Sequence, residues 1–450
     1  MKKLLFISSI LLGFWACNKV QDQPAPSTIL PTIVDNSNSN VNNSPPPDTT
    51  FRPIVMVHGF LASGDTYASF AQRFTSNGYR WSRIYTFDWN SLVQGQSAAD
   101  ITNLDKLIDN ILQKTGYKQV ELIGHSAGGG VCYNYLKDAK RALKVAHYVH
   151  TASSSQTGAA GATGEVPTLN LWSDSDKAVA GADIKGATNV KLSSFDHYQV
   201  ATSAESFAAI YEFFKNEKPK TTSINWEAKP CMGGRVVSFG ENQAIVGATV
   251  NIYELNTLTG ERINASPLYT LISDSEGRWA PVLIKPNVNY EVTVKEKGAG
   301  KRTLHYYREG FSHNNFLVYL RVIPPPGSLA GILLSGLPTN PEQSVLNVFT
   351  SSQGVINGRD SLKVDGATLS TPKIAPDTKT MIALFLYDNN KNQKSDFTAI
   401  PPFDSFPFLN GIDQFFDTSK NEPIEINMNN RKLMIRRWKA SDDVIVAVFD

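Results

Sequence analysis

The chain has 450 residues and carries 43 Lys and Arg residues against 41 Asp and Glu residues, so its net charge is only +2. This nearly balanced charge, without a basic stripe, excludes nucleic acid as an electrostatic partner. The length exceeds that of one ordinary hydrophobic core and indicates two or three domains. The three cysteines, Cys17, Cys132 and Cys231, are too few to indicate a disulfide framework.

The first 50 residues have the composition of a targeting segment and a tether. Lys2 and Lys3 precede an apolar run that is shorter than a membrane-spanning helix and ends at Cys17. Residues 1–17 resemble a lipoprotein signal, in which Cys17 is lipidated; the alternative is an ordinary secretory signal. Both predict export, to a membrane-anchored or cell-surface location in the first case and as a secreted protein in the second. Residues 18–50, rich in Asn, Ser, Pro and Asp, are predicted to be a disordered linker.

From Phe51 to about residue 220 the pattern alternates between strands and helices. Strands are predicted at 54–57, 83–87, 120–123, 145–149, 168–172 and 189–192. Helices are predicted at 66–77, at 98–115 and after a capping box formed by Thr202 and Glu205. This alternation predicts a parallel sheet with helices on both faces.

After residue 220 the helical periodicity stops, and short strands and turn signals take over. We predict a β-sandwich-like domain over residues 221–325 and a second β domain over residues 326–450. The Pro-rich stretch Pro324-Pro325-Pro326-Gly327 lies between them.

A nucleophile motif lies between a predicted strand and a helix. Gly124-His125-Ser126-Ala127-Gly128 matches G-x-S-x-G, in which a sharp turn exposes the serine at the carboxyl end of the sheet. Glycine is needed at both flanking positions because the backbone approaches its neighbours closely there. Ser126 is therefore the candidate nucleophile.

A serine needs a base, and the base needs an acid. His197 lies in the loop between the last predicted strand and the last helix, from which it can reach Ser126. Because the acid comes between serine and histidine in this chain order, Asp174 and Asp176 are the candidates. We favour Asp176, since Val179 completes the D-x-x-V pattern that usually follows this strand.

An oxyanion formed at this site needs two fixed hydrogen-bond donors. The backbone N–H of Ala127 is one candidate, because it follows the nucleophile. The N–H of Phe60 is the other, because His58-Gly59-Phe60 comes directly after the first strand.

These residues resemble those of the small bacterial lipases of the minimal α/β-hydrolase type. The likeness runs through residues 55–59, 124–126, 172–176 and 196–197. The chain also resembles archaeal two-domain lipases over residues 51–450. The resemblance implies an α/β fold, a minimal α/β-hydrolase domain at 51–220, followed by an all-β C-terminal region of the prealbumin or β-barrel type that helps to bind lipid.

Two departures from the archaeal family bear on the site. The family places its acid just after the strand that follows the elbow helix, where this chain reads Thr151-Ala152-Ser153 without a carboxylate. The acid is therefore assigned to Asp176. The family's long lid insertion is also missing, which predicts a site open to water unless the β tail covers it. Because every triad and oxyanion candidate precedes residue 223, the tail is predicted to be separable from the chemistry.

The predicted activity is that of a carboxylic-ester hydrolase, a lipase or esterase that acts on lipids or other apolar esters through an acyl-enzyme. The alternative is a polyester depolymerase whose tail binds polymer. A surface adhesin with a degenerate hydrolase is disfavoured by the intact Ser126, Asp176 and His197. The expected partners are the ester and, through the N-terminal lipid, a membrane.

No cofactor is required by this chemistry. One set of side chains alternates like oxygen ligands for a structural calcium ion, although a polar hairpin loop explains the same pattern. The set is Asp388, Asn390, Asn392 and Asp396.

Overall fold

A computed structural model describes residues 51–93 and 98–450. The predicted signal (1–17), with Cys17, and the linker (18–50) lie outside the described residues. Within the described ranges, no helix is long and apolar enough to cross a membrane.

The N-terminal part is built on one parallel sheet. Its strands are β1 (Ile54–Val57), β2 (Ile84–Phe87), β3 (Val120–His125), β4 (Val145–Thr151), β5 (Thr168–Trp172) and β6 (Thr188–Lys191). They lie in the order β2-β1-β3-β4-β5-β6, and every pair is parallel. The strands β1, β2 and β3 are buried throughout, as expected of a sheet covered on both faces. The predicted fold class is confirmed.

Helices cover both faces of this sheet. They are α1 (Ala68–Ser76), α2 (Ala98–Thr115), α3 (Ala127–Leu136), α4 (Ala139–Ala142), α5 (Gln199–Thr202) and α6 (Ala204–Lys215), with single 3₁₀ turns at Gly64–Tyr67 and Trp81–Arg83. Alternate residues of β1 point to opposite faces. Met56 packs in the apolar cluster with α1 and α6, and Val57 in the cluster with α2 and α3.

The prediction that Thr202 caps the last helix of this part is wrong, because the N-cap lies one residue later. Thr202 is the last residue of α5, and its hydroxyl donates to the carbonyl of Tyr198 at 2.8 Å. The N-cap of α6 is Ser203, whose hydroxyl accepts the N–H of Ser206 at 3.1 Å. The chain bends between the two short helices, so the cap falls at the bend.

The C-terminal part is mostly β structure, as predicted. Its first seven strands are β7 (Cys231–Ser238), β8 (Thr249–Glu254), β9 (Tyr269–Ile272), β10 (Arg278–Leu283), β11 (Tyr290–Lys295), β12 (Thr303–Arg308) and β13 (Asn315–Val322). The rest are β14 (Leu346–Thr350), β15 (Leu362–Val364), β16 (Ala367–Thr368), β17 (Ala383–Tyr387), β18 (Leu409–Asp413), β19 (Ile424–Met428), β20 (Arg431–Ile435) and β21 (Asp443–Phe449), with helices α7 (Leu329–Leu334) and α8 (Pro401–Asp404).

One sheet crosses the boundary predicted at residue 325. Eight strands lie in the order β18-β17-β14-β21-β12-β11-β8-β9, and the chain-distant strands β12 and β21 pair in parallel. Smaller sheets are formed by β10-β7-β13 and by β16-β15-β19-β20. The boundary therefore divides two halves of one sheet.

The β tail packs directly on the α/β part. Val237 of β7 and Phe316 and Tyr319 of β13 belong to the same apolar cluster as α1 and α6. Arg321 of β13 forms a buried ion pair with Asp65 at 2.6 Å. These contacts argue against a tail that is separable from the catalytic part.

Candidate active site

Ser126 occupies a strained turn between β3 and α3. Its φ of 54° and ψ of −125° are rarely adopted by residues with a side chain. The turn is fixed by a hydrogen bond from Ser126 N–H to the carbonyl of Thr151 at 2.9 Å. A Cβ at Gly124 would lie 2.7 Å from Cα of Gly129, and one at Gly128 would lie 2.3 Å from the carbonyl oxygen of Val57. The motif glycines are therefore required sterically.

His197 and Asp176 are brought together by the loops after β6 and β5. Nδ1–H of His197 donates to Oδ2 of Asp176 at 2.7 Å, and both side chains are about 1% exposed. Because the carboxylate can only accept, this bond leaves Nε2 of the neutral ring with its lone pair free. That atom is buried and has no hydrogen-bond partner among the described residues. It is therefore available to take a proton.

The two candidate acids have different surroundings. The other carboxylate oxygen of Asp176 accepts the N–H groups of Ala178 at 2.8 Å and Val179 at 3.1 Å. Asp174 instead pairs with Lys191 at 2.7 Å near solvent, and the hydrogen bond from Lys191 lowers its pKa. The geometry favours Asp176 and gives a reason for the D-x-x-V spacing, since the N–H of Val179 helps to orient the carboxylate.

The loop that carries Phe60 passes directly beside the nucleophile. A Cβ at Gly59 would lie 2.8 Å from Cβ of Ser126, so only glycine allows this approach. Its neighbour His58 is fully buried, and its Nδ1–H donates to the carbonyl of Gly59 at 2.8 Å. Burial lowers the pKa of His58, and its neutral Nε2 accepts the N–H of Trp89 at 3.2 Å. His58 is thus a structural residue that shapes this loop.

Two residues beside the base were missed by sequence reasoning. His125, treated only as part of the nucleophile motif, lies with its ring centroid 4.7 Å from that of His197. Its Nε2–H donates to the carbonyl of His197 at 3.1 Å, and burial keeps its pKa well below the ordinary value. Phe408, from the β tail, stacks on the ring of His197, with the two ring centroids 5.4 Å apart. No local pattern in the sequence marks Phe408, because its contact depends on the packing of the tail.

The predicted calcium ligands lie in the loop between β17 and β18. The side-chain amides of Asn390 and Asn392 donate to Oδ2 of Asp396 at 3.0 and 2.8 Å, and Asp388 accepts the N–H of Gln393 at 2.8 Å. No group of three or more His, Cys, Asp or Glu residues in the described ranges could hold a metal ion. The calcium ion stays a prediction, beside the alternative of a self-bonded polar loop.

Comparison with known families and solved structures extends these observations. The family model for class 2 lipases matches residues 51–150. The model for the lipase C-terminal domain matches residues 229–325, and a third model, of another C-terminal domain, matches residues 344–450.

Among solved structures, the chain is similar to a CIB-like hydrolase from Thermoplasma acidophilum, with 17% identity over 38% of this chain and 89% of that one, at a TM-score of 0.29. A bromoperoxidase from Bacillus anthracis matches with 15% identity, 37% and 92% coverage and a TM-score of 0.29. The mature lipase BlEst2 of Bacillus licheniformis matches with 16% identity, 37% and 94% coverage and a TM-score of 0.29.

The α/β architecture, the strained serine elbow and the lipase models that match residues 51–150 and 229–325 agree with one another. Together they support a hydrolase of the lipase or esterase type that has an α/β-hydrolase part and a lipase C-terminal domain.

Proposed function

We propose that the protein is a serine carboxylic-ester hydrolase that acts on acyl lipids through an acyl-enzyme. The observation that carries the proposal is the buried pair of His197 and Asp176, 2.7 Å apart, with Nε2 of the histidine unengaged. Ser126 supplies the nucleophile on the same edge of the sheet. The reaction needs no metal or organic cofactor, since every group that it uses belongs to this chain.

The chemistry follows from these positions. Nε2 of His197 takes the hydroxyl proton of Ser126 as Oγ attacks the ester carbonyl carbon, and Asp176 stabilises the imidazolium that forms. The N–H groups of Phe60 and Ala127 bind the oxyanion. When the intermediate collapses, the imidazolium gives its proton to the leaving alcohol and the acyl group stays on Oγ. Water then repeats the sequence and releases the acid.

The apolar surroundings support an acyl lipid as substrate. Phe60 packs with Tyr198, Ile382 and Phe408 in one apolar cluster beside the base. These side chains, most of them already buried, form an apolar wall beside the base, which suits an apolar acyl chain better than a charged one. No contact in the described structure specifically favours a polymer.

The test is hydrolysis of p-nitrophenyl esters by the full chain. Ser126→Ala and His197→Ala should each lower kcat on the order of 10⁶-fold, and the double variant should be little worse than either single one. A fluorophosphonate should label wild type at Ser126. Ser335→Ala is the matched control, since this exposed hydroxyl only donates to the carbonyl of Ile332. Substantial turnover by Ser126→Ala would overturn the proposal.

We further propose that the protein is exported and anchored by a lipid on Cys17. The support is the order of charges, apolar run and cysteine at the N-terminus. Since two acyl chains anchor a protein stably and one only marginally, Cys17→Ser should move the protein from the membrane to the soluble fraction. An unmodified, soluble wild-type protein in fractionation and mass spectrometry would remove the anchor.

A further inference from the structure

The loop that carries the proposed base is organised by the residue before it. Asp196 is 1% exposed, and its Oδ1 accepts the N–H groups of Tyr198 at 2.8 Å and Gln199 at 2.9 Å. Oε1 of Gln199 accepts the N–H of Asp196 at 3.0 Å in return. Asp196 therefore fixes the backbone on both sides of His197.

The other oxygen of Asp196 is held by the β tail. Oδ2 accepts the N–H of Gly354 at 3.0 Å and Nη1–H of Arg359 at 2.7 Å. Both residues lie in the connection between β14 and β15. Nη1 of Arg359 also donates to Oε1 of Gln199 at 2.8 Å. The guanidinium thus contacts both side chains that organise the base loop.

The guanidinium is itself held in a fixed orientation. Its Nε donates to Oδ2 of Asp360 at 2.9 Å, and its Nη2 donates to the carbonyl of Gly354. Against the effect of burial, Asp196 and Asp360 raise the pKa of Arg359, which keeps the fork charged. A planar guanidinium whose three nitrogens all donate hydrogen bonds can hold the carboxylate of Asp196 in one geometry.

We propose that Arg359 is a positioning residue for the base: through Asp196 it sets the placement of His197, so the C-terminal region completes the catalytic site. The proposal rests on the proposed function of His197. Without the guanidinium, a buried carboxylate loses its charged partner and becomes costly to keep in place. The base loop then relaxes, and small displacements of a catalytic group are expensive in rate.

A purely structural role for this pair between the two parts of the chain predicts a different outcome. It would lower stability and leave turnover by the folded enzyme unchanged. A positioning role lowers kcat for a soluble short-chain ester and leaves KM nearly unchanged, because the pair does not touch substrate. Measuring kcat and KM separately therefore distinguishes the two roles.

The experiment compares the full-length wild type with Arg359→Ala, Arg359→Lys and the control Arg437→Ala. Arg437 makes a comparable pair with Asp365 at 2.9 Å, but its hydrogen bonds stay within the tail. Arg359→Ala should lower kcat for p-nitrophenyl butyrate about 10- to 100-fold. Arg359→Lys should recover part of kcat, and added guanidinium should recover part of the activity of Arg359→Ala. Arg437→Ala should lower the Tm alone.

Wild-type kcat in folded Arg359→Ala, with Ser126→Ala inactive, would overturn the positioning role and leave the proposed function standing. Activity in Ser126→Ala would overturn both. If Arg359→Ala does not fold, Arg359→Lys decides the question: a lysine presents one point charge in place of the fork. Unchanged kcat in that variant would overturn the proposal, and a lowered kcat with unchanged KM would support it.

Discussion

Asp174 and Asp176 are two residues apart in the sequence, and only the structure separates their surroundings. Asp176 is buried on Nδ1 of His197, whereas the side chain of Asp174 is 46% exposed beside Lys191. An exposed ion pair contributes little to stability, whereas a buried carboxylate that selects the tautomer of a base contributes strongly to the rate of catalysis.

We therefore predict that Asp176→Asn lowers kcat on the order of 10⁴-fold, because an amide at this position stabilises the wrong tautomer of His197. Asp174→Asn is the matched control and should stay within about twofold of wild type, as expected for an exposed pair. Steady-state kinetics on one soluble ester measures both. The reverse ranking would assign the acid to Asp174.

The candidate triad could be selected from the sequence because each member belongs to a local pattern at the end of a strand. Ser126 lies in a strained turn that requires glycines, and Asp176 uses the N–H groups of its own loop. Phe408 and Arg359 could not be found in this way. Phe408 reaches the base, and Arg359 reaches Asp196 in the loop that carries the base, both from far along the chain, so only the packing of the tail brings them there.

At the scale of elements, the strands β11, β12 and β21 share a buried charged cluster. Both ring nitrogens of His305 face carboxylates, Glu291 at 2.6 Å and Asp443 at 2.9 Å, and the ring stacks on Trp438 at 4.0 Å. Arg262 forms a bidentate pair with Glu291. Burial alone would lower the pKa of His305, but the hydrogen bonds to Asp443 and Glu291 raise it above the ordinary value.

A raised folded-state pKa means that protonated His305 stabilises the tail. This contribution is fully present below the ordinary histidine pKa of about 6.5 and is lost as pH rises through the raised value. The free-energy difference between wild type and His305→Gln should therefore shrink as pH increases above about 6.5. Denaturant unfolding of both proteins over a pH series measures it. A difference that stays constant with pH would show that the cluster does not titrate in this way.

Elements with strong local signals were predicted well, and their long-range pairing was not. The helix predicted at 98–115 has the same bounds in the structure, because its apolar stripe and the following glycine are both local. The parallel pairing of β12 with β21 joins segments that are far apart in the chain. No periodicity within either strand specifies its partner, so the eight-stranded sheet could not be derived from the sequence.

At the scale of the whole molecule, the β tail provides the cover over the site that a lid insertion would otherwise provide. The sequence left two possibilities, a site open to water or a site covered by the tail. The structure favours the second, because Ser126 is only 8% exposed and Phe408 of the tail stacks on the ring of the base beside it. The tail is therefore both a wall of the site and part of the core beneath it.

This arrangement reverses the expectation that the tail can be removed without loss of short-chain activity. Strands β7 and β13 complete the apolar cluster of α1 and α6. Asn242 donates its side-chain amide hydrogens to the carbonyls of Ala62 and Trp89, with its nitrogen 3.2 Å from Nε2 of His58, and so supports the loop beside Ser126. Deletion would expose this apolar surface to water and leave buried polar groups without partners.

We predict that a chain truncated after residue 222 loses hydrolysis of soluble short-chain and aggregated long-chain esters alike, because it loses both its core cover and the support of its loops. Circular dichroism and p-nitrophenyl ester kinetics on the truncated and full-length chains measure fold and activity separately. Asn242→Ala in the full chain is the milder variant and should lower both activities together by weakening the loop beside the nucleophile. A folded truncated chain with wild-type turnover of the short ester would show that the tail is separable after all.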